Sequence, residues 1–345
     1  MSDIISENPK TLECSIDWLE FTITVKMDIN QSMEMLGYKL DDFIFSERGG
    51  LGYTRSARHI MQNIIVYWKG NEDMGIHYRV SGQAVAYFID NYIEKNSQLT
   101  PFEDKKAFPV EEFNNDRFIE LLKKISDIGQ FTRIDLSVDD YTTNYYSTDD
   151  VVELLRDGQC VSKFRTWQNL NTRSISTNEN QGHTIYFGSR KSDVFVRFYD
   201  KRLEQGKEYT WYRWELELKG IKAGAVADML INKDNIGAVT IGILSNYIRF
   251  IRLDRTRREN CSLEPRWERF IAGVKKLKIS LNKRIVTVDS KLDWINRQCM
   301  PTIAGLVKHN EGDLTFLLKD LATHYDRNSL ANKKLFEGES AYILQ

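Results

Sequence analysis

No run of the 345 residues approaches the roughly 18 consecutive apolar residues of a membrane span, so no membrane partner is expected. The opening residues, MSDIISENPK, lack a basic region followed by an apolar one. A secretory leader is therefore not expected, and the protein is expected in the cytoplasm. Cysteine is scarce: Cys14, Cys160, Cys261 and Cys299 are scattered with no CxxC pair. That spacing leaves a zinc knuckle and a disulfide framework unsupported and suits a reduced interior. A glycine-rich phosphate loop is missing, which counts against a phosphotransferase acting on small phosphates. Internal repeats, low-complexity blocks and a Gly/Pro linker are missing as well. Net charge is almost nil, at −1.

What is present is an ordinary globular composition, 41% hydrophobic and 28% charged, in a chain long enough for two domains and a substantial core. The near-zero net charge hides a segregation. Residues 245 to 284 hold twelve Lys/Arg against four Asp/Glu, an excess of eight positive charges, whereas residues 1 to 50 hold ten acids against four bases. A basic block in a neutral chain is the footprint of a local polyanion contact, or of a solvated helical face.

Apolar periodicity predicts mixed β and α structure over the first 150 residues or so. Strands are expected over 19–27, 64–68, 75–80 and 131–139. Helices are expected over 28–36, capped by Asn30 or Ser32, over 111–125, and over 148–156 with Ser147 or Thr148 as cap. Residues 168–181 are Ser/Thr/Asn-rich without a core stripe and are expected to form a mobile loop. Beyond residue 245 the pattern is helical, over 266–277, 291–298 and 313–325, with a further helix at 223–231.

The densest chemistry lies between Gly182 and Gly220. Three strands are expected there, over 184–188, 194–201 and 211–219, with a polar turn at 189–193. In the second strand Phe195, Arg197, Tyr199 and Lys201 share one face and Val194, Val196 and Phe198 the other; in the third, Arg213, Glu215, Glu217 and Lys219 face away from Trp214, Leu216 and Leu218. Two adjacent strands can thus present a phenol, cations and carboxylates above a common core, a grouping suited to phosphodiester chemistry with a tyrosine nucleophile. Tyr186, Tyr209, Tyr212 and, farther off, Tyr146 leave the nucleophile open on periodicity alone.

Gly182-His-Thr-Ile-Tyr-Phe-Gly-Ser-Arg-Lys-Ser-Asp193, followed by Arg197-Phe-Tyr-Asp-Lys201 and Arg213-Trp-Glu-Leu-Glu217, resembles the Rep_trans family. These are rolling-circle replication initiators of Gram-positive plasmids, with related nicking relaxases of integrative conjugative elements and phages. The resemblance extends, in the family's order, over roughly residues 15 to 325. It takes in Asp17-Trp-Leu-Glu-Phe-Thr22, Met74-Gly-Ile-His-Tyr-Arg-Val-Ser-Gly82, Arg133-Ile-Asp-Leu-Ser-Val-Asp-Asp140, Trp267-Glu-Arg-Phe-Ile-Ala-Gly273 and Trp294-Ile-Asn-Arg-Gln-Cys-Met-Pro-Thr-Ile-Ala304.

The resemblance implies an α+β fold. A mainly antiparallel, HUH-nickase-like catalytic domain flanked by helices would occupy residues 15–240, and an α-helical DNA-recognition domain residues 245–330. It implies nicking of DNA and strand transfer through a covalent 5′-phosphotyrosine, with Tyr199 as nucleophile. Lys201 and Arg197 beside it would lower the phenol's pKa or bind phosphate. The partners implied are double-stranded origin DNA and single-stranded DNA, a host helicase and polymerase, and a second copy of the chain. The paired histidines of the broader nickase superfamily are missing, because the chain has no His-x-His.

Carboxylates must then carry more of a metal site, which suits Mg²⁺ or Mn²⁺. Asp135, mid-strand among apolar neighbours, is the first candidate ligand, followed by Glu215 and Glu217, with His77 a further one. Asp139 shares the face of Asp135 or begins the following loop, and ion pairs with Arg133 or Arg213 are the competing use of all these acids. Arg190 and Lys191 in the polar turn, Arg213, and the Arg255, Arg257 and Arg258 cluster are the candidate DNA contacts. Trp167 either stacks on an unpaired base or packs on the sheet. A non-catalytic DNA-binding protein on the same fold is the alternative function; it would have no use for Tyr199, Asp135 and Glu215 on one face.

Overall fold

The computed structural model describes residues 12–96, 115–275 apart from 143, 207, 233 and 234, then 292, 295, 296 and 299–322. The chain forms two compact units, one of residues 1–21 and 101–281, the other of residues 22–100 and 282–345.

The first strand, β1 (Leu12–Ile23), begins and ends earlier than its alternation suggested; its residues through Phe21 belong to the first unit. In the second unit, helix α1 (Ile29–Met35) is followed by β2 (Phe43–Ser46), β3 (Arg55–His59), β4 (Ile64–Trp68), β5 (Ile76–Ser81) and helix α2 (Ala84–Asn96). The four strands pair in chain order, each antiparallel to the next. The cap of α1 is Asp28, not Asn30 or Ser32. Its carboxylate accepts from the Gln31 amide at 2.8 Å while the Gln31 side chain accepts from the Asp28 amide, which satisfies two amides left over at the helix start.

In the first unit the chain runs through α3 (Asn115–Ile128), β6 (Gly129–Asp140), α4 (Thr148–Arg156), β7 (Cys160–Ser162), β8 (Trp167–Arg173), β9 (Asn180–Phe187), β10 (Val194–Asp200), α5 (Lys201–Gln205), β11 (Tyr212–Lys219), α6 (Ile221–Ile231), α7 (Ile236–Tyr247), β12 (Ile248–Phe250) and α8 (Pro265–Val274). Its main sheet has the order β1-β6-β11-β10-β9-β8, antiparallel from β6 to β8. The alternation expected of the three central strands is realised. Ile134, Leu136 and Val138, Leu216 and Leu218, Val196 and Phe198, and Ile185 and Phe187 are all buried, as is Trp214. Trp214 stacks on Phe198 at 4.4 Å between ring centroids and meets Trp267 of α8 at 5.7 Å. Helices therefore cover one face of the sheet, and the polar residues of the same strands point the other way. This is the α+β architecture with a large antiparallel sheet that the resemblance implied.

Two expectations are corrected. Residues 168–181 are not a loop: β8 and the start of β9 form a hairpin in which Trp167 pairs with Phe187 and Leu170 with Thr184. Its pattern of Gln, Asn and Thr carries no apolar stripe because nearly all of β8 faces solvent. Residues 240–245, at the expected division between domains, belong to α7 (Ile236–Tyr247). Finally, the segment after residue 245 is not wholly helical, since residues 251–264 form an extended loop with one 3-10 turn before α8. Helix α9 (Met300–His309) follows. Most of the helix expected over 291–298 lies outside the described residues, as do Lys276, Lys278, Lys283 and Arg284 of the basic block.

Candidate active site

Register decides what meets on the helix-free face of the first unit. Tyr199 on β10 lies opposite Arg213 on β11, which lies opposite Asp139 on β6; Arg197 opposes Glu215, and Glu217 opposes Asp135. Opposed residues of antiparallel strands project from the same side of the sheet, so all seven side chains gather on one surface. β10 receives its direction from the turn after β9. There Gly188 adopts φ +83°, and a Cβ would stand 2.6 Å from the Phe164 ring, so only glycine fits.

The phenol of Tyr199 donates to Glu215 Oε2 at 2.9 Å and accepts from Lys201 Nζ at 3.2 Å. Arg197 binds the other oxygen of Glu215, and Lys201 also pairs with Glu204 at 3.1 Å. Lys201 reaches the phenol from the first turn of α5, not from the strand. The expectation of a lowered phenol pKa is not met. Burial raises it, Glu215 adds to the rise, and the opposing pull of Arg213 does not overcome them. Burial likewise raises Glu215 against the pull of Arg197. A protonated phenol therefore rests on a carboxylate of enhanced basicity.

Behind this pair stands a buried ion cluster. Arg213 donates from Nε to Asp139 Oδ1 and from Nη2 to Asp139 Oδ2, both at 2.6 Å, and from Nη1 to Asp17. Trp211 Nε1 gives Asp139 a third hydrogen bond at 2.6 Å. Burial works to raise Asp17, but Arg213 beside it, helped by Lys201, holds it below the usual carboxylate range. Arg213 is thus turned inward as the support of Tyr199, and its guanidinium is not placed as the DNA contact suggested by the sequence. Asp139 is no loop residue: it is fully buried and pinned.

Asp135 and Glu217 meet Arg133. Arg133 donates to both oxygens of Asp135 at 2.8 and 2.6 Å and to Glu217 Oε2 at 2.9 Å, while its guanidinium lies 4.2 Å from the Trp18 ring centroid. Lys219 pairs with the other oxygen of Glu217. Burial, with Glu215 and Glu217 adding, pushes Asp135 up to about 7 despite the pull of Arg133. Replication-type nickases are generally metal-dependent, and three carboxylates are the hard donors Mg²⁺ or Mn²⁺ would select. As arranged they do not fit an ion. All six oxygens already receive hydrogen bonds or ion pairs, five of them from Arg133, Arg197 or Lys219, and no metal-holding group of three acids, histidines or cysteines occurs among the described residues. His77 belongs to the second unit, where its Nδ1 lies 2.9 Å from Thr22 Oγ1 and its ring stacks on Tyr53.

Of the other candidates, Arg190 lies over the Tyr186 ring at 5.3 Å, and Lys191 is exposed beside it. Arg255 and Arg257 are exposed in the loop before α8, whereas Arg258 donates to the carbonyls of Gly158 and Cys160 and anchors that loop. Trp167 opens the exposed edge strand β8. The sequence reading assigned no role to Asp17 or Trp211. Nothing short of the register shows that they share Asp139 and Arg213.

A putative DNA relaxase of Bacillus subtilis (strain 168), NicK, is 26% identical to this chain over 294 residues, covering 82% of it and 78% of the relaxase. The solved structure of a rolling circle replication initiator protein from Geobacillus stearothermophilus matches 79% of this chain and all of that one, with 26% identity and a TM-score of 0.66. No helix among the described residues is long and apolar enough to cross a membrane. The sequence model of the replication initiation factors matches residues 129–321, from the start of β6 to beyond α9 and so more than half of the chain, and with the site geometry beneath it this chain belongs to the replication initiation factor family, Rep_trans.

Proposed function

We propose that this chain nicks one strand of origin DNA and initiates rolling-circle replication or conjugative transfer, with Tyr199 as nucleophile. The observation that carries the reading is the hydrogen-bonded Tyr199–Glu215 pair with Lys201 and Arg197 around it, in a chain related to a putative DNA relaxase and a rolling circle initiator. Glu215 takes the phenolic proton as Oη attacks phosphorus, and Lys201 and Arg197 offset charge on the non-bridging oxygens. The P–O3′ bond breaks. The 5′ phosphate stays on Tyr199, and the 3′ oxygen takes up a proton as a free hydroxyl able to prime a polymerase. Labelled single-stranded origin DNA should migrate with the protein on denaturing gels, and peptide mapping should place the link at Tyr199. If no origin strand becomes linked, the nickase reading fails.

Glu215→Gln should slow single-turnover nicking by roughly 10²- to 10⁴-fold, the usual share of a general base. The wild-type rate should fall on acidification, once the raised Glu215 pKa is crossed and the base becomes protonated, and the variant should lose that limb of the profile. A variant as fast as wild type would remove Glu215 from the chemistry.

Because Arg133, Arg197, Lys219 and Tyr199 already occupy the oxygens of Asp135, Glu215 and Glu217, these residues do not fit Mg²⁺ or Mn²⁺ as arranged, and no step above passes through an ion. Nicking should stop in EDTA and return with either ion if the arginines yield their carboxylates. Full activity in EDTA would mean that Arg133 and Arg197 serve in the cation's place.

Duplex recognition we assign to the segment from residue 245 onward, where Arg255 and Arg257 stand exposed. Replacing both with alanine should weaken origin binding and reduce the slope of log affinity against log salt by about two phosphate contacts' worth. Arg258 is left out of that test, because it holds the loop in place. Unchanged binding would move recognition to the turn of Arg190 and Lys191 or to the β8–β9 hairpin.

A further inference from the structure

On the same face as Tyr199, one step along the strands beyond the Arg213–Asp139 pair, three aromatic rings meet. The centroids of Tyr209 and Trp211 lie 6.1 Å apart with planes 21° from parallel, and Tyr141 lies 5.4 Å from Trp211 and 6.2 Å from Tyr209. Trp211 stands just before β11 and Tyr141 just after β6, and hydrogen bonds hold both rings, Trp211 to Asp139 and the Tyr141 hydroxyl to Glu13 Oε2. The Trp211 ring is fixed at both ends. Its Nε1 donates to Asp139, and the Arg213 guanidinium stands 5.8 Å from its centroid, directly across the strands from Tyr199. Tyr209, at the outer end of the stack, is 47% exposed. Structural packing explains Trp211, which is buried, but leaves half of a large ring in water at Tyr209.

We infer that Tyr209, on the support of Trp211 and Tyr141, is a stacking shelf for an unpaired nucleobase next to the phosphate held at Tyr199. This inference rests on the nicking reading only for the strand that reaches the shelf. Lys201 and Arg197 bind phosphate but are blind to bases; a rigid ring beside them adds contact to any base, because every base has a π-face. It also fixes the neighbouring nucleotide and so helps hold the scissile phosphate for in-line attack.

The test uses two fluorescein-labelled strands of about 20 units, an oligothymidylate and an abasic strand with the same phosphates, read by anisotropy in the Tyr199→Phe background so that no adduct forms. Tyr209→Ala should bind the oligothymidylate roughly tenfold more weakly, the scale of one lost base–aromatic stack, and should bind the abasic strand as its parent does. Tyr209→Phe and Tyr209→Trp should restore tight binding, whereas Tyr209→Leu, apolar but without a ring, should behave like alanine. Equal losses on both strands, a phenylalanine variant as weak as alanine, or an alanine variant at parental affinity would each overturn the shelf. If Tyr209→Ala does not fold, the contrast between the Leu and Trp variants decides the matter. A protein that shows this pattern yet never forms an adduct overturns the nicking reading alone.

Discussion

Tyr199→Phe should bind DNA but yield no covalent adduct and no nicked product. The substitution removes one oxygen and keeps the ring. Its structural cost is the hydrogen bonds with Glu215 Oε2 and Lys201 Nζ, roughly 1.5–3 kcal/mol for bonds to charged groups, less than the roughly 5–15 kcal/mol that keeps a domain folded. Chemically the loss at this position is complete, because phenylalanine has no hydroxyl with which to form a phosphodiester with the DNA. An adduct that survives would name another tyrosine, and the structure orders the candidates. Tyr186 lies across from Arg197 on the same face. Tyr212 alternates to the helix-covered face and stacks on Phe198 at 5.9 Å, and Tyr146 is buried with its hydroxyl on Glu264. Mapping the linked peptide distinguishes Tyr186 from the rest.

Arg213→Met should destabilise the first unit by about 3–5 kcal/mol, the cost of leaving buried carboxylates without their cation. Asp139 is fully buried and loses both guanidinium hydrogen bonds, and Asp17 loses its partner. Chemical unfolding reads the loss as a lower midpoint. Asp139→Asn added to Arg213→Met should recover part of the stability, because an amide needs no counter-charge. The same pair of measurements separates support from DNA contact. A surface phosphate contact at Arg213 would show weaker, less salt-dependent binding with an unchanged unfolding midpoint, and that result would refute the buried-support role.

Legibility followed the range of the forces involved. The three central strands and their two faces were readable, because a period-2 pattern such as Val194, Val196 and Phe198 against Arg197 and Tyr199 has one solution with one face on a core. The Ser147 cap of α4 was readable too, since its capping box with Asp150 lies within four residues. The β8–β9 hairpin was not. From Gln168 to Gln181 only Leu170 and Ile175 are apolar, and both are exposed; what holds this stretch is backbone pairing to the rest of β9, which leaves no mark in side-chain pattern. The helical reading past residue 245 held at α8 but failed over residues 251–264 for a related reason: the Arg-rich loop of residues 252–260 is held by hydrogen bonds such as Arg258 to the carbonyls of Gly158 and Cys160, contacts about a hundred residues apart in the chain.

The sequence by itself determined that a tyrosine, cations and carboxylates would share one face of an antiparallel sheet, because alternation is a local property of each strand. Only the tertiary structure decided their roles. Whether a buried carboxylate binds an ion, pairs with an arginine or accepts a proton depends on which side chains the folded strands bring within its reach. Glu215 drew Tyr199 and Arg197, Asp135 drew Arg133, and Asp139 drew Arg213, because in a site stripped of water each charge must find its partner within hydrogen-bond reach.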